Sequence, residues 1–163
     1  MDATRAWDPS TARPTELSPD RPLVAVTGAG RGIGLALVDE FVRREWNVVA
    51  CVRDTAQLVG RFPHDRVHDV GGSLSTVEHT NVLARRLASE FPALRGLVNN
   101  AGVQFGGPDE RAEQRLEQVH VNFTAPVELT LHLAPLLPTA GGFVANVSSG
   151  LAYAPNGRSP VYG

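Results

Sequence analysis

Between a run of valines and an amphipathic stretch, the chain places Thr27-Gly-Ala-Gly-Arg-Gly-Ile-Gly34. Glycine at every second position is costly inside a strand or a helix. One element therefore ends here and another begins. Before it, Leu23–Thr27 reads LVAVT, a short valine-rich run that suits a buried strand. After it, apolar residues recur at Leu35, Leu37, Val38, Phe41 and Val42, close to a helical period. Strand, glycine turn and helix in that order aim backbone N–H groups and a helix N-terminus at one point, which favours a phosphate. The glycines serve a tight turn, close approach of backbone to ligand, and packing of helix on strand. Glycines also fill ordinary turns, but the flanking elements favour the phosphate reading.

The alternation continues along the chain. Val48–Val52 reads as a second buried strand, and a shorter, weaker third one ends at Val67. Ser75 and Glu78 match a capping box, opening a helix that runs to about Phe91, just before Pro92. Gly96–Asn99 is expected as a fourth strand and Gly142–Val147 as a fifth. Between them, Glu110 to about Leu137 reads as one long helix, bent near Pro126. At the end of the first helix, Asn47 is expected to supply the left-handed conformation that glycine often provides. Such alternation predicts the α/β class, a doubly wound parallel sheet with helices on both faces. One domain, 23–163, follows a segment 1–22 whose prolines (Pro9, Pro14, Pro19, Pro22) and scattered charges read as a flexible tail.

Composition narrows the function. A net charge of −2 gives no reason to expect nucleic acid or an anionic membrane as partner. No apolar run approaches the roughly 18 residues of a membrane span, and the first residues lack the apolar core of a signal peptide. Cys51 is the one cysteine, which rules out an internal disulfide, fits the cytoplasm and reads as a small core residue. His64 and His68 flank a strand, and His120 and His132 stand twelve apart, so no metal-ligand spacing emerges. Arg85-Arg86 reads as a solvated helix face. All 15 basic residues are arginine.

The spacing Gly28, Gly32, Gly34, in T-G-x-x-x-G-x-G, resembles the short-chain dehydrogenase/reductase family. Further motifs extend the resemblance over everything after the tail: Asp69-Val70, Asn99-Asn-Ala-Gly102, Asn122 in VHVNFTAP, then Ser149 and Tyr162. The resemblance implies a Rossmann-like sheet, incomplete here at its C-terminal edge. It implies a nicotinamide dinucleotide held by Gly28, Gly30, Arg31, Gly32, Ile33 and Gly34, with Asp69 and Val70 at the adenine and Asn100, Ala101 and Gly102 along the loop after the fourth strand. Where an NAD-preferring relative has an acidic residue on the ribose 2′-hydroxyl, this chain has Val52 and then Arg53. An arginine forks onto a 2′-phosphate, and Arg31 is a second cation on that side. NADP(H) is therefore expected over NAD(H).

The implied reaction is hydride transfer between nicotinamide and a small-molecule carbonyl or alcohol. Tyr162 would be the general acid in reduction, Ser149 would stabilise the carbonyl oxygen, and Asn122 would hold a water that feeds protons inward. A tyrosine phenol ordinarily titrates near pH ~10, and the family meets this with a lysine four residues later, a position beyond Gly163. The chain is thus expected to stop inside the active site, with impaired activity in isolation and a raw apolar sheet edge at GFVANV. A homo-oligomer or a complementing chain remains open as partner. The alternative is a non-catalytic nucleotide-binding or interaction module derived from such an enzyme.

Overall fold

In the computed structural model, residues 17–107, 109–154, 157 and 161–162 are described. Five strands, β1 (Leu23–Thr27), β2 (Asn47–Val52), β3 (Val67–Gly71), β4 (Leu94–Asn99) and β5 (Phe143–Asn146), form one sheet in the order β3-β2-β1-β4-β5. All four pairings are parallel. The helices are α1 (Gly32–Arg43), α2 (Val77–Glu90), α3 (Ala112–Val119) and α4 (Ala125–Leu133). This is the doubly wound sheet that alternation predicts.

Successive side chains of a strand point to opposite faces, so each central strand feeds two cores. Ala25, Val49, Cys51, Val70 and Leu97 pack against α2 and α4 through Leu83, Leu87, Leu129 and Leu133. Val24, Val26, Val48, Ala50 and Val98 pack on the other side against Val38, with Leu35, Phe41 and Trp46 around them. The order reverses between β1 and β4. In such sheets ligands bind beyond the carboxyl ends of the strands at that reversal. Among the described residues no helix is long and apolar enough to cross a membrane.

Several local expectations are corrected. Val67 begins β3 rather than ending it. The N-cap of α2 is Thr76, whose hydroxyl accepts the His79 N–H at 3.2 Å, because the Ser75 hydroxyl is engaged with Ser73 at 2.9 Å. The left-handed residue before β2 is Glu45, at φ 64°. Asn47 is instead the buried first residue of β2, and its side chain donates to the Ser18 carbonyl. Arg86 is not solvated: its guanidinium pairs with Glu90 at 3.0 Å and donates to the Gly71 carbonyl at 2.9 Å. The segment Leu17–Pro22, placed in the tail from sequence, belongs to the fold. Leu17 packs on the core, and the Asn47 N–H bonds the Pro22 carbonyl at 2.9 Å. Residues 1–16 of that tail lie outside the described residues.

The long helix is four pieces, α3, a π turn, α4 and a 3-10 turn at Ala134–Leu136. A π turn at His120–Thr124 separates α3 from α4, and the Ala125 N–H reaches back to the His120 carbonyl. Pro126 has no N–H to offer the Asn122 carbonyl four residues earlier, so the wider turn settles there. The irregularity therefore precedes Pro126.

The edge strand β5 is only half covered. Its anchor is Phe143, stacked with Phe41 and edge-on to Trp46. The Phe143 ring lies where a β-carbon on Gly96 would be. Gly96→Ala is expected to displace the ring and cost about 1–3 kcal/mol in urea unfolding. Combined with Phe143→Leu, much of the loss should be shared between the two changes; strictly additive losses would contradict this packing.

Candidate functional site

The carboxyl ends of β1 and β4 are tied by one side chain. The Thr27 hydroxyl accepts the N–H groups of Asn100 and Ala101, each at 3.0 Å, and donates to the Val98 carbonyl at 3.4 Å. Asn100 returns the link, its amide donating to the carbonyls of Thr27 at 2.9 Å and Gly28 at 3.3 Å. Gly28 leaves β1 at φ 65°, with a place for a β-carbon only 2.8 Å from the Ala101 Cα. A β-carbon on Gly34 would strike the Gly28 carbonyl. Glycine at these two positions is a packing requirement.

Over this junction lies a cleft of about 560 Å³, lined by the glycine loop from Gly28 to Gly34, by Val52 and Arg53 at the end of β2, and by Asn100–Val103. Gly32 opens α1 with no side-chain cap, its first turn free of acidic residues. Those uncapped N–H groups favour an anion. Arg31 and Arg53 are exposed on the rim, and neither makes an ion pair among the described residues. Asp54, the adjacent acid, is occupied: its carboxylate accepts the Ala56 N–H at 3.0 Å and caps a short 3-10 turn. A cradle that a β-carbon would fill, a bare helix N-terminus and two unpaired guanidinium groups fit a dinucleotide phosphate group.

Asp69 and Val70 do not reach this cleft. Both lie inside β3, opposite Ala50 and Cys51. Gly72–Ser75 line the wall there instead. Cys51, also in the lining, is buried, which pushes its thiol up to about 12 and removes it as a nucleophile near neutral pH.

A second cleft of about 1080 Å³ adjoins the first and shares Arg31, Ile33, Arg53, Glu117 and the loop Asn100–Val103 with it. Asn122, Ser149 and Tyr162, far apart in sequence, all line it. Ser149 caps a 3-10 turn, accepting the Leu151 N–H at 3.2 Å. Asn122 is largely engaged already: it accepts the Val103 N–H at 2.9 Å and donates to the Val103 carbonyl at 2.8 Å. Its carboxamide clamps the loop, and its second amide hydrogen has no partner among the described residues.

Sequence reasoning does not show the contacts that hold this loop. Thr27 was visible as the threonine before the first glycine, but its partners lie over seventy residues away. Gln118 is fully buried and accepts the Phe105 N–H. Asn99 donates to Asn146 at 2.9 Å and Thr130 at 3.3 Å, joining β4, β5 and α4.

The chain matches the short chain dehydrogenase family over residues 22–163. It is 30% identical over 145 residues to an uncharacterized oxidoreductase, DltE, of Bacillus subtilis (strain 168), covering 85% of this chain and 58% of that one. The crystal structure of a bulky-bulky ketone specific alcohol dehydrogenase from Comamonas testosteroni superposes with TM-score 0.77 at 26% identity, over 87% of this chain and 60% of that one. A short-chain dehydrogenase from Sphingobium yanoikuyae in complex with NADPH gives TM-score 0.76 at 27% identity, over 86% and 59%. The chain thus spans little more than half the length of the curated relatives it matches.

Thr27→Val should strand the Asn100 and Ala101 N–H groups, both of which donate to that hydroxyl. The expected loss is about 1–3 kcal/mol, with faster amide exchange at Asn100 and Ala101. Thr27→Ser keeps the hydroxyl and should keep both amides protected; equal damage from the two variants would refute the hydroxyl's role.

Proposed function

The chain belongs to the short-chain dehydrogenase family, and on that premise we propose that its protein is an NADP(H)-dependent oxidoreductase acting on a small carbonyl or alcohol. The observation that carries the reading is the continuity of the two clefts. The glycine loop and the Asn122–Ser149–Tyr162 set face one shared wall, Asn100–Val103.

The Gly28–Gly34 loop and the start of α1 would hold the pyrophosphate. Arg31 and Arg53 would hold the 2′-phosphate, and Asn100, Ala101 and Gly102 would position the nicotinamide end. A nicotinamide dinucleotide bound there supplies or accepts the hydride. Tyr162 would give the proton to the carbonyl oxygen, and the Ser149 hydroxyl would donate to the same oxygen as negative charge develops. Asn122 would fix the loop that bears the nicotinamide and hold a water on its remaining amide hydrogen.

Two experiments test this. Arg53→Asp should weaken NADPH binding at least about tenfold, the loss of a charged hydrogen bond, and spare NADH. Equal binding of both nucleotides by the parent chain would overturn the NADPH preference. In the whole protein, Tyr162→Phe should lower the rate of NADPH-linked carbonyl reduction by about 10²–10⁴ and leave NADPH affinity within about twofold. Unchanged turnover would remove Tyr162 from the chemistry.

A further inference from the structure

Gly30 differs from its neighbours in the loop. Gly28 and Gly32 have positive φ, whereas Gly30 does not. What stands beside Gly30 is a side chain: a β-carbon there would meet the carboxamide of Gln57. Gln57 comes from a different part of the chain, the 3-10 turn Thr55–Leu58 that follows β2. That turn is fixed at one end by the Asp54 cap and at the other by buried Leu58. The turn that carries Gln57 is therefore anchored at both ends beside the glycine loop.

Its carboxamide lines the first cleft beside Arg31 and Arg53. Among the described residues nothing hydrogen-bonds it. An amide carries two N–H donors, and here they stand at the same rim as two unpaired guanidinium groups. Glu117 is the one carboxylate among the lining residues of this cleft. The rim at Arg31, Arg53 and Gln57 is rich in donors and carries no anion of its own.

Resting on the NADP(H) reading above, we propose that Gln57 is a specificity-determining residue. Its carboxamide is the third donor, with Arg31 and Arg53, to the 2′-phosphate of the adenosine ribose. Gln57 meets the glycine loop at Gly30, next to Arg31, and shares the lining of the first cleft with Arg31 and Arg53. The residue discriminates by its chemistry: a neutral donor accepts a dianion, and an isosteric carboxylate in its place repels one.

The test uses the full chain and two small probes, 2′,5′-ADP and 5′-AMP, titrated by calorimetry. They differ only in the 2′-phosphate. The parent chain is expected to bind 2′,5′-ADP more tightly. Gln57→Glu should weaken 2′,5′-ADP at least about tenfold, the scale of a hydrogen bond to a charged group, and leave 5′-AMP within about twofold. Gln57→Lys should bind 2′,5′-ADP at least as tightly as the parent. Retained 5′-AMP binding shows that each variant is folded. If the parent prefers 2′,5′-ADP but Gln57→Glu loses nothing, or loses both probes equally, the role of Gln57 is overturned and the NADP(H) reading stands. If the parent binds the two probes equally, or binds neither, the NADP(H) reading falls and takes the role of Gln57 with it.

Discussion

The Thr27 hydroxyl is the joint on which both clefts depend. A hydroxyl has one hydrogen to give and two lone pairs to receive, and here all are used, between β1 and the turn after β4. The need for such a joint follows from the topology. Where strand order reverses, the chains leaving β1 and β4 turn to opposite faces of the sheet, and no ladder continues between them. The N–H groups at the start of the second turn would then be buried without partners, at a cost of a few kcal/mol each by typical figures. Thr27 satisfies them from the first strand. It thereby fixes the glycine loop and the Asn100–Val103 wall relative to each other.

The same wall is held from the far side by a helix that is not regular. Asn122 grips Val103 and Gln118 grips Phe105, residues two apart on the loop and four apart on the helix. Helical spacing of about four brings the two carboxamides to one face, and extended spacing of two brings the two loop amides to one side. The match is geometric. The π turn at His120–Thr124 includes Asn122 itself, as such turns often do at functional positions. Pro126, which lacks the N–H that a regular turn would use and itself lines the second cleft, thus shapes the wall through the backbone.

How much of this was legible in the sequence depended on the range of the interaction. Strands β1, β2 and β4 were visible because a parallel central strand is apolar on both faces and reads as an unbroken run. β3 was misplaced because His68 and Asp69 interrupt that run at the edge of the sheet. The Thr76 cap and the left-handed Glu45 each fell one or two residues from where pattern put them. The choice among adjacent polar residues follows from other hydrogen bonds, a local one from Ser75 to Ser73 and a tertiary one from Asn47 to Ser18. Arg86 looked solvated because nothing local shows that the Gly71 carbonyl waits above it. The glycine loop, Arg53, Asn122, Ser149 and Tyr162 are named from motifs and the resemblance those motifs carry, and the structure places them in the lining of the two clefts. Gln57, Gln118 and Thr130 are not so named, because a lone polar residue in a helix or turn carries no sign of its distant partner.

The two clefts differ in what sustains them. The glycine loop and its cleft rest on β1 and β2, whose residues are buried throughout. Ser149 and Tyr162 follow β5, a four-residue edge strand that is half-buried at Phe143 and Val144 and exposed at Ala145 and Asn146. Local opening starts where apolar contacts are fewest. β5 is held by its single ladder to β4, by Phe143 over Gly96, and by Asn146 on Asn99. Loss of those contacts removes Ser149 and Tyr162 from the cleft but leaves Thr27, Asn100 and the glycine loop in place. The glycine-loop cleft and the placement of Ser149 and Tyr162 are therefore separable properties of this fold, with Asn99 as a side chain that connects them.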